Sequence, residues 1–337
     1  MLNIAYIGNG KSTNRYHFPF STRLGDSAKV RTIYSRSGRQ DWPVIEGAHY
    51  ATDLADIYND KTINLVVITT PSSTHYELAK QTLEAGKNVL VEKPFAQTYA
   101  QAKELFDLAS SHNLFIQSYQ NRRYDSDFLT TQKVIESGVL GDLIEVEIHY
   151  DRYAPEFSIN STYSLVDSYT YGLASHSLDQ AISYFGLPDK VHSANRQILG
   201  KGHPNDYFDF DLDYGNTRVS VKGSTMYLQT RPSFVVYGQK GTFIKQTVDM
   251  QEAHLKLNYM PDQPGFGVDG YNEYGTLTYI DEQGSYHQEK VVSEVGDYRQ
   301  VYRDIYETII HGKDKVVKDE ETLAVMKIME DSLSELS

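Results

Sequence analysis

The amino-terminal third of the chain alternates short apolar runs with helix-like segments, and this rhythm leaves few folds open. Leu2–Ile7 is apolar and ends at Gly8-Asn9-Gly10; residues 30–34, 64–70, 89–91 and 115–119 are the later runs. Between them, 73–85 reads as a helix closed by Gly86. Ala102, Leu105, Phe106 and Ala109 fall at i, i+3, i+4 and i+7, one face of a second helix. Strand, helix, strand in this order predicts a parallel sheet with crossover helices, because parallel neighbours need a long connection.

The pattern changes after Asn121. Residues 127–137 read as a helix stopped by Gly138. From Leu143 onward Ile144, Val146, Ile148 and Tyr150 alternate with Glu145, Glu147 and His149, and later Phe208, Phe210, Leu212 and Tyr214 alternate with Asp209, Asp211 and Asp213. Residues 219–227, 234–237, 277–280 and 286–292 are further strand candidates, separated by turns such as Gly215-Asn216 and Gln283-Gly284. The expectation is an antiparallel sheet with one covered face, the other face being acidic and either wet or paired with another subunit. Helices over 298–311 and 320–334 close the chain.

Composition narrows the chemistry. The 337 residues include no cysteine, which removes disulfides, thiolate nucleophiles and cysteine zinc sites together. A net charge of −13 argues against a broad nucleic-acid surface. No run is long enough to cross a bilayer and no basic, cleavable leader is visible, so the expectation is a cytoplasmic protein without a membrane partner. Histidines and carboxylates do not fall at ligand spacing, so no metal is expected, and no Gly-x-Ser-x-Gly elbow appears.

Gly8-Asn9-Gly10-Lys11-Ser12-Thr13 follows the first strand and precedes a helical segment, the setting a dinucleotide loop requires. Gly8 permits the tight turn, Gly10 lets a pyrophosphate approach, and N–H groups at the helix start meet the anion. Thr13 stands where a third glycine is usual, which predicts looser helix-to-strand packing and makes the Ser12 and Thr13 hydroxyls candidate phosphate donors. The second strand runs into Ser35-Arg36-Ser37-Gly38-Arg39, with no acid to receive a ribose diol. Hydroxyls and guanidinium groups at Ser35, Arg36 and Arg39 suit a 2′-phosphate instead, so NADP is expected over NAD, with solvated loop arginines as the alternative. The run at 88–91 stops on Glu92-Lys93-Pro94. Strand ends of open α/β sheets face ligands, and a lysine there is poor core filler.

Gly8-x-Gly10, Thr69-Thr70-Pro71-Ser72 with His75, Glu92-Lys93-Pro94 and His176-Ser177-Leu178-Asp179 occur in that order. Together they resemble the Gfo/Idh/MocA oxidoreductases over nearly the whole chain. Residues 119–125, Tyr-Gln-Asn-Arg-Arg-Tyr-Asp, narrow the likeness to the NADP-type scyllo-inositol dehydrogenases and their YhhX-like relatives. The resemblance implies an α/β architecture: a Rossmann domain over 1–121, then an α/β domain over 122–337 with a large, mainly antiparallel open sheet and closing helices. That sheet commonly forms a homo-oligomer interface in the family. The resemblance further implies Lys93 and His176 as a catalytic pair, Thr69, Thr70, Pro71 and His75 as a cofactor-lining turn, Glu92 beside the nicotinamide ribose, and a cis Lys93-Pro94 bond. Many members carry an aspartate four residues before the histidine; this chain has Gly172.

The expected reaction is NADP-dependent oxidation or reduction of a cyclic polyol or sugar-like alcohol. Asn121 is a candidate for a substrate hydroxyl or the nicotinamide amide. Arg122 and Arg123 are candidates for substrate or for ion pairs with Asp125 and Asp127, and Tyr153, Tyr171 and Asp179 for the substrate wall or for packing. Asp179 shares a helix face with His176 and favours its charged form, against the helix N-terminus. A non-catalytic NADP sensor and an NAD-dependent glycosidase of the same fold are the competing classes.

Overall fold

The computed structural model describes residues 1–38, 41–159, 164 and 167–334. They form two compact units. The first comprises Met1–Gln120, Glu252–Phe266 and Tyr298–Met326, and the second Asn121–Gln251, Gly267–Asp297 and Lys327–Ser337. The units are therefore not contiguous in sequence: the chain returns to the first one twice, and the helix Arg299–His311 joins it through Val301, Tyr302 and Ile305, all buried.

The first unit holds a six-stranded parallel sheet built from β1 (Leu2–Ile7), β2 (Ala28–Tyr34), β3 (His49–Ala51), β4 (Leu65–Ile68), β5 (Asn88–Val91) and β6 (Ile116–Ser118), in the order β3-β2-β1-β4-β5-β6. All of β4 is buried, as a strand covered on both faces must be. The helices His75–Glu84 and Tyr99–Ser111 are the crossovers, and Ala102, Leu105, Phe106 and Ala109 form the buried stripe. Register aligns the strand ends. Ile7 pairs with Tyr34 and with Ile68, Ile68 with Val91, and Val91 with Ser118. The residues that follow, Gly8, Ser35, Thr69, Glu92 and Tyr119, therefore leave the sheet at one edge.

The second unit holds an eight-stranded sheet of β7 (Leu143–Asp151), β8 (Lys190–Ser193), β9 (Tyr207–Tyr214), β10 (Thr217–Ser224), β11 (Phe234–Gly238), β12 (Gly241–Lys245), β13 (Gly275–Ile280) and β14 (Tyr286–Val291), ordered β14-β13-β12-β11-β7-β10-β9-β8. It is antiparallel except where β7 meets β10. Phe208, Phe210 and Leu212 are fully buried, as their alternation predicts, and so are Val146 and Ile148, whereas Ile144 is 52 % exposed. The acidic face is not purely acidic. β10 lays Arg218 against Asp211 at 2.5 Å and Lys222 against Asp209 at 3.4 Å, the opposite-charge pairing that sheets favour. Among the described residues no helix is long and apolar enough to cross a membrane.

Candidate active-site residues

At the sheet edge of the first unit a cavity of about 560 Å³ is lined by the glycine loop, Tyr34, Ser35, Arg36, the turn Thr69–Pro71 and the start of the next helix. Gly8 has φ +123°, and a Cβ there would lie 2.6 Å from Thr69 Oγ1, so only glycine suits the turn. A Cβ at Gly10 would meet nothing within 4 Å, leaving its backbone open to a ligand. The segment after the loop, Ser12–His17, is wound as a π-helix, and Thr13 is fully buried against the strand end at Thr69, so the side chain in the third-glycine place fills that contact. Both foreseen hydroxyls have partners inside the protein. Thr13 is buried and donates to Gly8 O at 2.8 Å, with Thr69 Oγ1 at 2.6 Å, and the Ser12 hydroxyl donates to Glu92 Oε1. Lys11 is exposed.

Arg36 is exposed at the cavity rim, and Ser35 Oγ is buried without a hydrogen-bond partner. A buried hydroxyl seldom stays unmet in a finished protein, and one lining a cavity fits a polar ligand group. Arg39 lies outside the described residues. His75 joins two turns: Nδ1 is 2.8 Å from Pro94 O and Nε2 2.9 Å from Thr70 O. The Lys93-Pro94 bond is cis. Lys93 is half-buried, and its N–H donates to Glu92 Oε2 at 3.0 Å.

Glu92 is strongly ionised. Burial pushes its carboxyl up, but the hydrogen bond and charge of His17, the charge of Lys93 and the Ser12 hydroxyl outweigh burial and bring it down to about 2. His17, Tyr302 and Tyr6, which surround this carboxylate or its partner, were not singled out from the sequence, and Tyr119, whose ring lies on His17, entered only within the 115–119 and 119–125 segments. The only signal was a histidine set among aromatic residues, Tyr16-His17-Phe18, which by itself reads as core.

In the second unit, His176 sits in the first turn of the helix Ser175–Phe185, directly after the π-helical segment Thr170–Ala174. The polar side foreseen for this helix is buried from Ser175 to Gln180. Asp179 accepts from Nε and Nη2 of Arg123, each at 2.7 Å, a two-point ion pair within the unit. Arg122 donates to Asp125 at 3.0 Å and to the Tyr150 hydroxyl at 2.8 Å, and Gln180 Nε2 donates to Arg122 O at 2.8 Å. Arg122, Arg123 and Asp179 are thus engaged in ion pairs inside the unit. Asn121 is buried at the start of the turn Asn121–Tyr124. Tyr171 is fully buried and packs as core, while Tyr153 is 57 % exposed.

Residues 2–120 match the model described as oxidoreductase family, NAD-binding Rossmann fold, and 132–332 match that family's C-terminal alpha/beta domain. The chain belongs to the Gfo/Idh/MocA oxidoreductase family. This Gfo/Idh/MocA oxidoreductase is 44% identical over 339 residues to the uncharacterized oxidoreductase YhhX of Escherichia coli (strain K12), spanning 100% of this chain and 97% of that one. It is 32% identical over 334 residues to scyllo-inositol 2-dehydrogenase (NADP(+)) IolW of Bacillus subtilis (strain 168), spanning 98% and 92% of the two chains. A crystal structure titled as a probable oxidoreductase yhhX superposes with a TM-score of 0.94 at 44% identity, covering 99% of this chain and 97% of that one. Gly172 lies in the π-helical segment, and a Cβ there would meet nothing within 4 Å. The small residue at this position of the Gfo/Idh/MocA chain is therefore not imposed by packing.

Proposed function

We propose that this oxidoreductase uses NADP and moves a hydride between nicotinamide and a secondary alcohol of a cyclic polyol or sugar-like substrate. The observation that carries this reading is the alignment of strand ends. It brings Gly8, Gly10, Ser35, Arg36 and the Thr69–Pro71 turn around one cavity, and puts Glu92 and Lys93 at the end of β5 on the same edge. Ligands of open parallel sheets bind at that edge.

In this reading, N–H groups after Gly10 receive the pyrophosphate, and Ser35 and Arg36 receive the 2′-phosphate. The group supplies C4 of its ring as hydride acceptor or donor. The remaining work falls to the protein. Glu92, held as a carboxylate, accepts from the ribose side, and the Lys93 ammonium donates to the substrate oxygen and stabilises developing alkoxide charge. His176 is assigned by its motif as the group that relays the hydroxyl proton. The polyol class is favoured by the relative named as a scyllo-inositol dehydrogenase with NADP(+). The uncovered face of the eight-stranded sheet is proposed as the surface of a homo-oligomer.

The test is to titrate purified protein with NADP and NAD side by side, then to follow NADPH absorbance over a panel of inositols and sugars. Lys93→Ala is expected to abolish turnover on the best substrate while NADP still binds. Full turnover by that variant would remove Lys93 from the chemistry. NADP binding with no alcohol oxidised would replace the enzyme by a cofactor sensor, a reading that the unusual Gly172 favours.

A further inference from the structure

A closed hydrogen-bond chain runs from the Glu92 carboxylate into the core of the first unit. Glu92 Oε1 receives the Ser12 hydroxyl and lies 3.1 Å from His17 Nε2. His17 Nδ1 is 2.6 Å from the Tyr302 hydroxyl, which is 3.0 Å from the Tyr6 hydroxyl, and Tyr6 donates to Ser21 Oγ at 2.8 Å. The Tyr119 ring covers His17 at a centroid distance of 4.1 Å. His17, Ser21, Tyr6 and Tyr302 are all fully buried, and the Glu92 side chain is 14 % exposed.

Counting hydrogens along the chain orients it. Burial pushes the Tyr6 and Tyr302 phenols well up, so each keeps its single proton. Tyr6 donates to Ser21 and must accept from Tyr302. Tyr302 has then used its hydrogen and accepts from His17 Nδ1–H. Glu92, an ionised carboxylate, only accepts, so Nε2 also carries a hydrogen. On this count both ring nitrogens serve as donors, one toward the carboxylate and one toward the phenol, with the Tyr119 ring alongside.

We propose that His17 is a positioning residue for the Glu92-Lys93 turn, a two-sided donor held in place by Tyr302. It keeps the Glu92 carboxylate ionised and oriented, with one oxygen on the glycine-loop hydroxyl of Ser12 and the other on the Lys93 N–H. One carboxylate thereby ties the proposed phosphate loop to the proposed catalytic lysine, and His17 fixes its direction from the side that no ligand reaches. The proposal rests on the dehydrogenase reading for its kinetic consequences, but not for the protonation of the ring.

The test has two arms. The first is a two-bond proton–nitrogen NMR spectrum of the histidine rings near neutral pH. In the wild type both His17 nitrogens are expected to carry hydrogen, and Glu92→Gln is expected to leave only one of them protonated. A singly protonated His17 in the wild type overturns the proposal whether or not any alcohol is oxidised. The second arm compares His17→Gln, Glu92→Gln and the double variant. Loss of carboxylate alignment predicts a fall in kcat of about 100-fold for each single variant, with KM for the alcohol within about threefold, and a double variant no worse than either single one, as residues acting through one another behave. Additive losses would show that His17 acts independently of Glu92, and losses only in thermal stability would give it a purely structural role; either result overturns the positioning role. Where His17→Gln does not fold, Tyr302→Phe removes the Nδ1 acceptor with little change in volume, and the same spectrum is read. A failure of the dehydrogenase reading shows as a wild type that turns over no alcohol, and the ring spectrum still decides this proposal.

Discussion

Replacing Asp127 by asparagine should make the protein more stable in mild alkali and leave it unchanged in mild acid. Asp127 lies in the first turn of the helix Ser126–Glu136, buried, with one oxygen accepting the Phe128 N–H at 2.9 Å. Its neighbour Asp249 is better provided, with the Ser126 N–H at 2.8 Å, the Gln251 N–H at 2.7 Å and Gln251 Nε2 at 3.2 Å. Burial first, and the Asp249 charge second, push Asp127 up from 3.8 to about 7, against the pull of Lys245 and Arg122. The folded state thus binds a proton that the unfolded chain has released. The stability this contributes is complete below pH 3.8 and is lost as pH rises through about 7. At no more than about 1.4 kcal/mol per pH unit, and less as the pH nears the folded-state value, the wild type loses on the order of 2–3 kcal/mol between pH 5 and pH 8. Asp127→Asn keeps the shape and the acceptor for Phe128 but cannot ionise. Urea unfolding of both proteins at pH 5 and pH 8, followed by circular dichroism, reads the difference. With slopes of about 1–3 kcal/mol per molar urea, the variant's midpoint should exceed the wild type's by about 1 M or more at pH 8 and should approach it at pH 5. Parallel pH dependence in the two proteins, or a variant weaker at pH 8, would refute the assignment of a raised Asp127 carboxyl.

Arg36→Ala should weaken NADP binding by about 10–100-fold, the loss of a charge-assisted pair worth about 1.5–3 kcal/mol, while NAD binding stays within about twofold; equal losses for both dinucleotides in calorimetric titration would put the 2′-phosphate elsewhere. Lys245 and Asp269 form an ion pair with both side chains fully buried, and Lys245 also donates to Thr247 and to the Glu273 carbonyl. Asp269→Leu alone should cost about 3–5 kcal/mol, and the double variant Lys245→Met/Asp269→Leu should recover most of it, as denaturant titration would reveal. Gly172→Asp meets open space and should fold with an unchanged melting temperature; kcat for the best polyol should shift at least severalfold, and an unaltered pH–rate profile would make position 172 irrelevant to proton handling.

Much of the architecture could be read from local pattern. Buried parallel strands are continuous apolar runs, so Leu65–Ile68 and Asn88–Val91 declared themselves, and the period of two in Phe208, Phe210 and Leu212 marked an antiparallel strand. The short polar edge strands His49–Ala51 and Lys190–Ser193 carry no such pattern and went unforeseen. Gly8, Ser35, Glu92 and Lys93 were legible for a different reason: a residue that ends a parallel strand is delivered to a known edge, so chain position alone says where it goes. Partner choice has no such rule. Arg123 closes on Asp179, 56 residues away, and Tyr302 reaches His17 across 285 residues. Such pairs are selected by which groups are buried together and must satisfy each other's hydrogen bonds, a condition on three-dimensional neighbours that no stretch of sequence states. The fold class and the placement of residues at the strand ends were written in periodicity and motif. The partners that hold those residues in place were set by packing.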